Sequence, residues 1–317
     1  VKTKRIGTRN GPNRQLTASQ LLYAANDAYA AMRVHAAIAT LPLPAAAKPA
    51  PTSARLTTRD GTRLFVRRWG QGRPIVFTHS WALDSSMWGR MFLDLAERGF
   101  ECIGFDRRGH GRSDAPASGY DMDTLADDLA GVIGDRRDVI LVGHSMGAAE
   151  ILRYAQRHGT ARIAKIVLLA PVTPFLLKTA DNALGAPEAF FEGIRAEWRR
   201  DFPKWIEANK APFFTPETSV ETMNWMAAMM LNTWLPAAIA CNRALISTDL
   251  RPALGKIDKP VLVIHGTKDA SAPIEITGRP TAAGIRSAKL NTYDGAPHGL
   301  FITHHDRVRD DILAFVG

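Results

Sequence analysis

Residues Asp138 to Ala155 read DVILVGHSMGAAEILRYA. The apolar run VILVGH has the composition of a strand buried on both faces, and a helical stretch from Met146 to His158 follows it. Between them stand Gly143, His144, Ser145, Met146 and Gly147, a G-x-S-x-G sequence in the strand-turn-helix context that gives it meaning. Such a turn is tight enough to strain the serine backbone. A Cβ two residues to either side of the serine would strike the neighbouring strand or helix, so glycine is required at both places. Ser145 is thereby presented above a sheet, at the positive end of a helix.

Outward from this stretch the same alternation repeats. PIVFTH precedes a helical stretch from Met87 to Arg98, ECIGFD precedes Met122 to Ile133, and KIVLLA, PVLVIHG and AKLNTYDG follow later. Asp306 to Phe315 makes a closing helix, and RLTTRDGTRLFVRRW reads as a hairpin turning at Asp60 and Gly61. Continuous apolar strands alternating with amphipathic helices predict an α/β domain over residues 54–317, with a mostly parallel eight-stranded sheet flanked by helices. The segment between KIVLLAP and PVLVIHG has no strong strand and carries Phe175, Phe190, Phe191, Trp198, Trp205, Phe213, Phe214, Trp225 and Trp234. A connection this long predicts an inserted helical cap at about 172–250. Within it VETMNWMAAMML sets Met223, Met226 and Met230 at helical steps, with Trp225 and Met229 on a second stripe. That pattern reads as helix packing with some lining of an apolar pocket.

The chain has 317 residues, 46% of them hydrophobic, and a formal charge of +9. Lys2, Lys4, Arg5, Arg9, Arg14, Arg33 and Lys48 against Asp27 place +6 of that charge in residues 1 to 50, so the basicity describes a tail and no nucleic-acid surface is expected. No apolar run approaches the ~20 residues of a membrane span, and no stable membrane insertion is expected. Cys102 and Cys241 read as buried free thiols. Residues 1–53 form a basic, alanine-rich extension and linker: a polar arm, a helix from the Thr17/Gln20 capping box to about Thr40, then the extended LPLPAAAKPAP. This composition suits a docked helix or an oligomer contact as well as an export or transit segment; a cytoplasmic location is favoured, with export to the periplasm as the alternative.

A serine hydroxyl needs a base, and the base needs a carboxylate to orient it. On this topology the acid and then the histidine follow the serine, each on a loop after a late strand. PVLVIHGTKDASAP delivers Asp269 and TYDGAPHGLF delivers His298, both beyond strand carboxyl ends, where open α/β sheets bind ligands. His265 lies within its strand, His304 and His305 begin the final helix in solvated or capping positions, and Asp258 and Asp294 sit off the expected turn. A tetrahedral intermediate needs two preorganised N–H donors. Met146 supplies one and the backbone of Trp81 the other, with His79 and Ser80 shaping the turn. GFDRRGHGRSD reads as a loop braced by Asp106 and its arginines. No HExxH, CxxC or GxGxxG occurs, and neither a metal nor a cofactor is expected.

With HSWALDSSMW, GFDRRGHGRSD, LVGHSMG, LLAPVTP, TDLRPALGKIDKPVLVIHGTKD and APHGLF in place, the chain from about Arg55 to Phe315 resembles the α/β-hydrolase superfamily, and within it the bacterial arylesterases and cofactor-free haloperoxidases (perhydrolases). The resemblance implies a Ser145, Asp269 and His298 triad, an oxyanion hole at Trp81 and Met146, a cap over an apolar acyl pocket, no cofactor and a homo-oligomer. It stops short of residues 1 to 50. Three positions depart from the family pattern: Ser80 where glycine is usual, Ala148 where a second glycine is common, and Ala82 where peroxide-using members tend to carry proline. The expected activity is that of a serine carboxylesterase acting on small acyl or aryl esters through an acyl-enzyme, with promiscuous perhydrolase activity. Lactone or lactam opening on the same residues, and a non-catalytic small-ligand binder on the same fold, are the alternatives. A dehalogenase or epoxide hydrolase would need a carboxylate in place of Ser145 at this strand-turn-helix nucleophile elbow, so the serine argues against both.

Overall fold

The computed structural model describes residues 53–317; the expected N-terminal arm, the helix to Thr40 and the linker after it lie outside the described residues. Eight strands form one sheet: β1 (Ser53–Thr57), β2 (Arg63–Trp69), β3 (Arg73–Thr78), β4 (Phe100–Phe105), β5 (Val139–His144), β6 (Ile163–Leu169), β7 (Val261–Gly266) and β8 (Ala288–Tyr293). Their spatial order is β1-β2-β4-β3-β5-β6-β7-β8. The first two strands are the expected hairpin, β2 runs antiparallel to β4, and every later pairing is parallel. β5 and β7 are buried along their whole length, which is why they read as unbroken apolar runs.

Helices cover both faces. On one side lie α2 (Met122–Ile133) and α3 (Met146–His158), which pack Leu125, Leu129, Ile151 and Leu152 over β3, β5 and β6. On the other lie α1 (Gly89–Ala96) and α10 (His305–Val316), which bury Met91, Leu95, Val308 and Ile312. Burying each such aliphatic side chain contributes about 1.5–3 kcal/mol. The expected Met87 to Arg98 helix is divided: Ser85–Trp88 is a 3-10 turn capped by the Asp84 carboxylate, and α1 begins after it. Cys102 and Cys241 are buried free thiols, and desolvation pushes both up to about 12.

Between β6 and β7 stand α4 (Glu188–Asn209), α5 (Val220–Leu231) and α6 (Leu235–Ser247). α4 breaks at Asp201, whose backbone is extended (φ −162°, ψ 84°). The break follows from Pro203, which has no N–H for the carbonyl four residues back and whose ring clashes with that carbonyl, and the Asp201 carboxylate then accepts from Lys204 N–H at 3.0 Å as the cap of the second half. Met226 and Met229 are buried, but Trp225 is 44% exposed, so of the second stripe only Met229 packs inward. Three short helices were not legible in the sequence: α7 (Arg251–Leu254), α8 (Gly278–Gly284) and α9 (Leu300–Thr303). Each is shorter than the periodicity needed to recognise a helix. Among the described residues no helix is long and apolar enough to cross a membrane.

Strand order reverses between β3 and β5, which lie side by side with Thr78 paired to Gly143. The chain leaves β3 into His79, Ser80 and Trp81, and leaves β5 into Ser145. The two loops therefore open onto one crevice at the carboxyl edge of the sheet.

Candidate active site

Ser145 has φ 58° and ψ −117°, a left-handed conformation that is strained for a residue with a side chain. Its N–H donates to the Leu169 carbonyl at 2.9 Å and its carbonyl accepts from Ala148 N–H at 3.1 Å. A Cβ on Gly147 would lie 2.5 Å from Thr78 Oγ1, and one on Gly143 would lie 2.7 Å from Ile151 Cδ1. The two glycines thus allow α3 to close against β3 and β5, as the sequence argument requires. Among the described residues the Ser145 hydroxyl makes no hydrogen bond, and the residue lines a cavity shared with His298.

His298 Nδ1 lies 2.7 Å from Asp269 Oδ2. The imidazole proton therefore sits on Nδ1, leaving Nε2 as the basic nitrogen. Asp269 Oδ1 accepts from Ser271 N–H at 2.9 Å and from Ala272 N–H at 2.7 Å. Burial pushes the Asp269 carboxyl up, but the charge of His298 and hydrogen bonds from His265 and His298 outweigh it and hold the group below the usual carboxylate range. His144 Nε2 donates to the His298 carbonyl at 2.9 Å, which ties the elbow to the histidine loop. Burial first, and then the charge of His298, push His144 down to about 3, so it is a neutral strut.

His265 is more than a strand residue. Its Nε2 lies 3.1 Å from Asp269 Oδ2 and 2.8 Å from the Ala272 carbonyl. Both are acceptors, so Nε2 carries the proton and His265 is a second donor to the acid. Its signal in the sequence was a lone polar side chain in a wholly buried strand, which must find a partner. His305 also departs from expectation: it is buried rather than solvated, with Nε2 2.8 Å from Asp94 Oδ2. Asp258 accepts from Thr160, Asp294 from Thr267, and neither they nor His304 and His305 line the cavity.

The loop after β3 is held from behind. Arg107 N–H donates to His79 Nε2 at 2.8 Å, so the proton of His79 is on Nδ1, which donates to the Ser80 carbonyl at 2.8 Å. Arg107 Nη2 donates to the His79 carbonyl at 2.7 Å and Nη1 reaches the Ser80 carbonyl at 3.3 Å. Its guanidinium is paired in turn with Glu150 on α3, and both side chains are only 1% exposed. In a trans peptide the N–H points opposite to the C=O, so pinning the Ser80 carbonyl aims the Trp81 N–H the other way. The main-chain N–H groups of Trp81 and Met146 have no acceptor among the described residues. Ser80 is not in the left-handed region, so the serine there needs no glycine backbone, and its side chain lines the cavity. Ala82, two residues on, has φ 56°. The Trp81 indole donates to the Ala238 carbonyl at 2.8 Å and stacks on Trp198 at 4.4 Å, so the loop is also tied to the inserted helices.

The GFDRRGHGRSD loop is braced as expected: the buried Asp106 accepts from Ser85 and Arg112, and Arg108 pairs with Asp128 and Asp60. The cavity measures about 450 Å³, and its walls are mostly apolar, with Trp198, Trp205, Phe213, Met226, Met230 and Ile276 prominent. Asp94, His305 and Asp306 bring ligand-type atoms within 4.8 Å of one another, but Arg90 and Arg309 already pair with these carboxylates, away from the cavity.

Comparison with known proteins places this geometry. The family model described as the alpha/beta hydrolase fold matches residues 73–305. A non-heme chloroperoxidase, CPO-A1, of Kitasatospora aureofaciens is 38% identical over 82% of this chain and 98% of its own length. A bifunctional esterase/perhydrolase of Acinetobacter calcoaceticus is 34% identical over the same shares of the two chains, 82% and 98%. The crystal structure of a bromoperoxidase from Bacillus anthracis superposes with a TM-score of 0.80 at 31% identity, covering 83% of this chain and 99% of that one. The sheet order, the elbow and these likenesses agree, and the chain belongs to the α/β-hydrolase fold family, with haloperoxidases and esterase/perhydrolases among its relatives.

Proposed function

We propose that the chain is a serine carboxylesterase acting on small acyl or aryl esters. The observation that carries this reading is Ser145, strained on its elbow, sharing one apolar cavity with a His298 whose Nδ1 is bound to Asp269. His298 Nε2 takes the proton as Ser145 Oγ attacks the ester carbonyl, forming a tetrahedral intermediate. The Trp81 and Met146 N–H groups receive the oxyanion; two such donors, held in place before reaction, lower the barrier without reorganisation. His298 then protonates the leaving alcohol, and water, deprotonated by the same nitrogen, releases the acid. Asp269 holds the imidazole in the Nδ1–H tautomer throughout. The tryptophan, phenylalanine and methionine walls favour an apolar acyl or aryl group beneath the cap.

Release of the acyl group by hydrogen peroxide, giving a peracid, is a second reaction of the same acyl-enzyme, and relatives named haloperoxidase and esterase/perhydrolase favour it. Ala82 argues for hydrolysis as the main course. Its φ of 56° is closed to proline, whose ring holds φ near −65°, so the loop after Trp81 differs from one that carries proline there. A fluorophosphonate probe tests the serine reading. It labels the wild type and not Ser145→Ala; an unlabelled wild type, or equal labelling of both, removes the esterase and favours a binding protein.

A further inference from the structure

The inserted helices place a side-chain amide on the cavity wall that the reaction does not use. Asn242 on α6 lines the cavity, among Leu245, Ile246, Ile194 and Leu176. Its Oδ1 lies 2.7 Å from Arg195 Nη1. A guanidinium only donates, so this contact fixes which end of the amide is which: Oδ1 faces Arg195 and Nδ2 is directed away from it. Arg195 is itself only 1% exposed and is anchored on its other side by Glu192, 2.9 Å from Nη2. The amide therefore has one orientation, and among the described residues its only hydrogen bond is the one that Oδ1 accepts, which leaves Nδ2 free to donate.

Three other polar side chains on the wall, those of Asn209, Lys210 and Thr277, are already engaged, whereas the Trp198 indole N–H is buried behind the wall without a partner among the described residues. Asn209 donates to the Trp205 carbonyl, Lys210 to Glu207 and Asn224, and Thr277 to the Ala272 and Pro273 carbonyls. Asn242 follows Ala238 by four residues on α6, so it lies on the same face, its Cα roughly 6 Å along the axis from that of Ala238, whose carbonyl anchors Trp81. A hydrogen-bond donor set among apolar side chains is costly when a hydrocarbon covers it and favourable when an acceptor meets it.

We propose that Asn242 is a specificity-determining residue, which selects esters carrying a hydrogen-bond acceptor, an ether or ketone oxygen, at a fixed distance from the reacting carbonyl. Arg195 is the positioning residue that turns the donor end of the amide toward substrate. The proposal rests on the esterase reading for its substrate class, and the test separates the two.

The substrates are p-nitrophenyl alkanoates and a matched series in which one CH2 at increasing distance from the carbonyl is replaced by oxygen. At one position the ether ester has kcat/KM about tenfold above its alkanoate, the factor of one hydrogen bond. Asn242→Leu brings that ratio to about one. Asn242→Asp keeps the side-chain shape and pairs with Arg195, so it preserves the fold, but it offers only acceptors and also abolishes the preference. Ratios near one at every position in the wild type, or a preference that survives both substitutions in folded protein, would overturn the proposal. The same pairs are titrated calorimetrically into Ser145→Ala protein. Discrimination there without turnover by the wild type keeps Asn242 as a binding determinant and removes the esterase, whereas turnover without discrimination does the reverse.

Discussion

Replacing Arg107 by methionine separates what the buried ion pair does for stability from what it does for the loop after β3. Arg107 and Glu150 are each 1% exposed, and the guanidinium also donates to the carbonyls of His79 and Ser80. Removing one partner of such a pair leaves an uncompensated buried charge, at a cost of about 3–5 kcal/mol. For a domain of this size each kcal/mol lowers Tm by roughly 2–4 °C, so the variant melts about 6–20 °C below wild type. Burial pushes the Glu150 carboxyl up and Arg107 draws it back; without Arg107 the upward push stands alone. A carboxyl raised in the folded state binds its proton more tightly there than in the unfolded chain. The deficit is therefore smallest near the ordinary glutamate range of about 4.3 and grows as pH rises through the folded value, so it is larger at pH 8 than at pH 5. Arg107→Met/Glu150→Leu removes both charges and recovers stability to within about 1 kcal/mol of wild type or above it. It does not recover activity, because the His79 and Ser80 carbonyls have lost their anchor; a donor misplaced by about 1 Å costs on the order of 100-fold in kcat/KM. Urea unfolding at both pH values and ester hydrolysis at pH 8 measure the two effects. A double variant as unstable as Arg107→Met, or one with full activity, would refute this account.

Two further substitutions probe the site. Gly147→Ala places a Cβ 2.5 Å from Thr78 Oγ1, so α3 must part from β3, with a loss of about 1–3 kcal/mol and of activity; Gly193→Ala, in open space on α4, is the control and stabilises by about 0.5–1 kcal/mol, and equal melting shifts for the two would contradict the packing argument. His265→Leu removes a hydrogen bond to an ionised Asp269 and lowers kcat/KM by roughly 10- to 100-fold, while His265→Gln, which keeps a donor, restores most of it; a folded leucine variant with wild-type kinetics shows that His265 only fills space.

Much of the site was legible because its residues announce themselves locally. The elbow needs two glycines and a strand before it, and Asp269 and His298 each follow an apolar strand late in the chain. The structure brings Asp269 to 2.7 Å from His298 and sets Ser145 on the same cavity. Ser80 was conspicuous in the sequence as a departure, but its meaning was not: only the backbone shows that no left-handed conformation is demanded there. His265 was set aside for lying inside a strand, and the trio at Asp94, His305 and Asp306 was invisible, since it joins α1 to α10.

By itself the amino-acid sequence determined the strands, the helices that cover them, the elbow and the order of the candidate triad. All of these follow from side-chain periodicity and from backbone rules that act over a few residues. Only the tertiary structure decided which distant groups meet. Arg107 pairs with Glu150, Arg195 orients Asn242, and the Trp81 indole hangs from Ala238, contacts between residues 43, 47 and 157 positions apart. The physical reason is that a buried charge or amide needs a partner, but its own neighbourhood in the chain does not say who that partner is. The crossover at β3 and β5 and the angle of the inserted helices do.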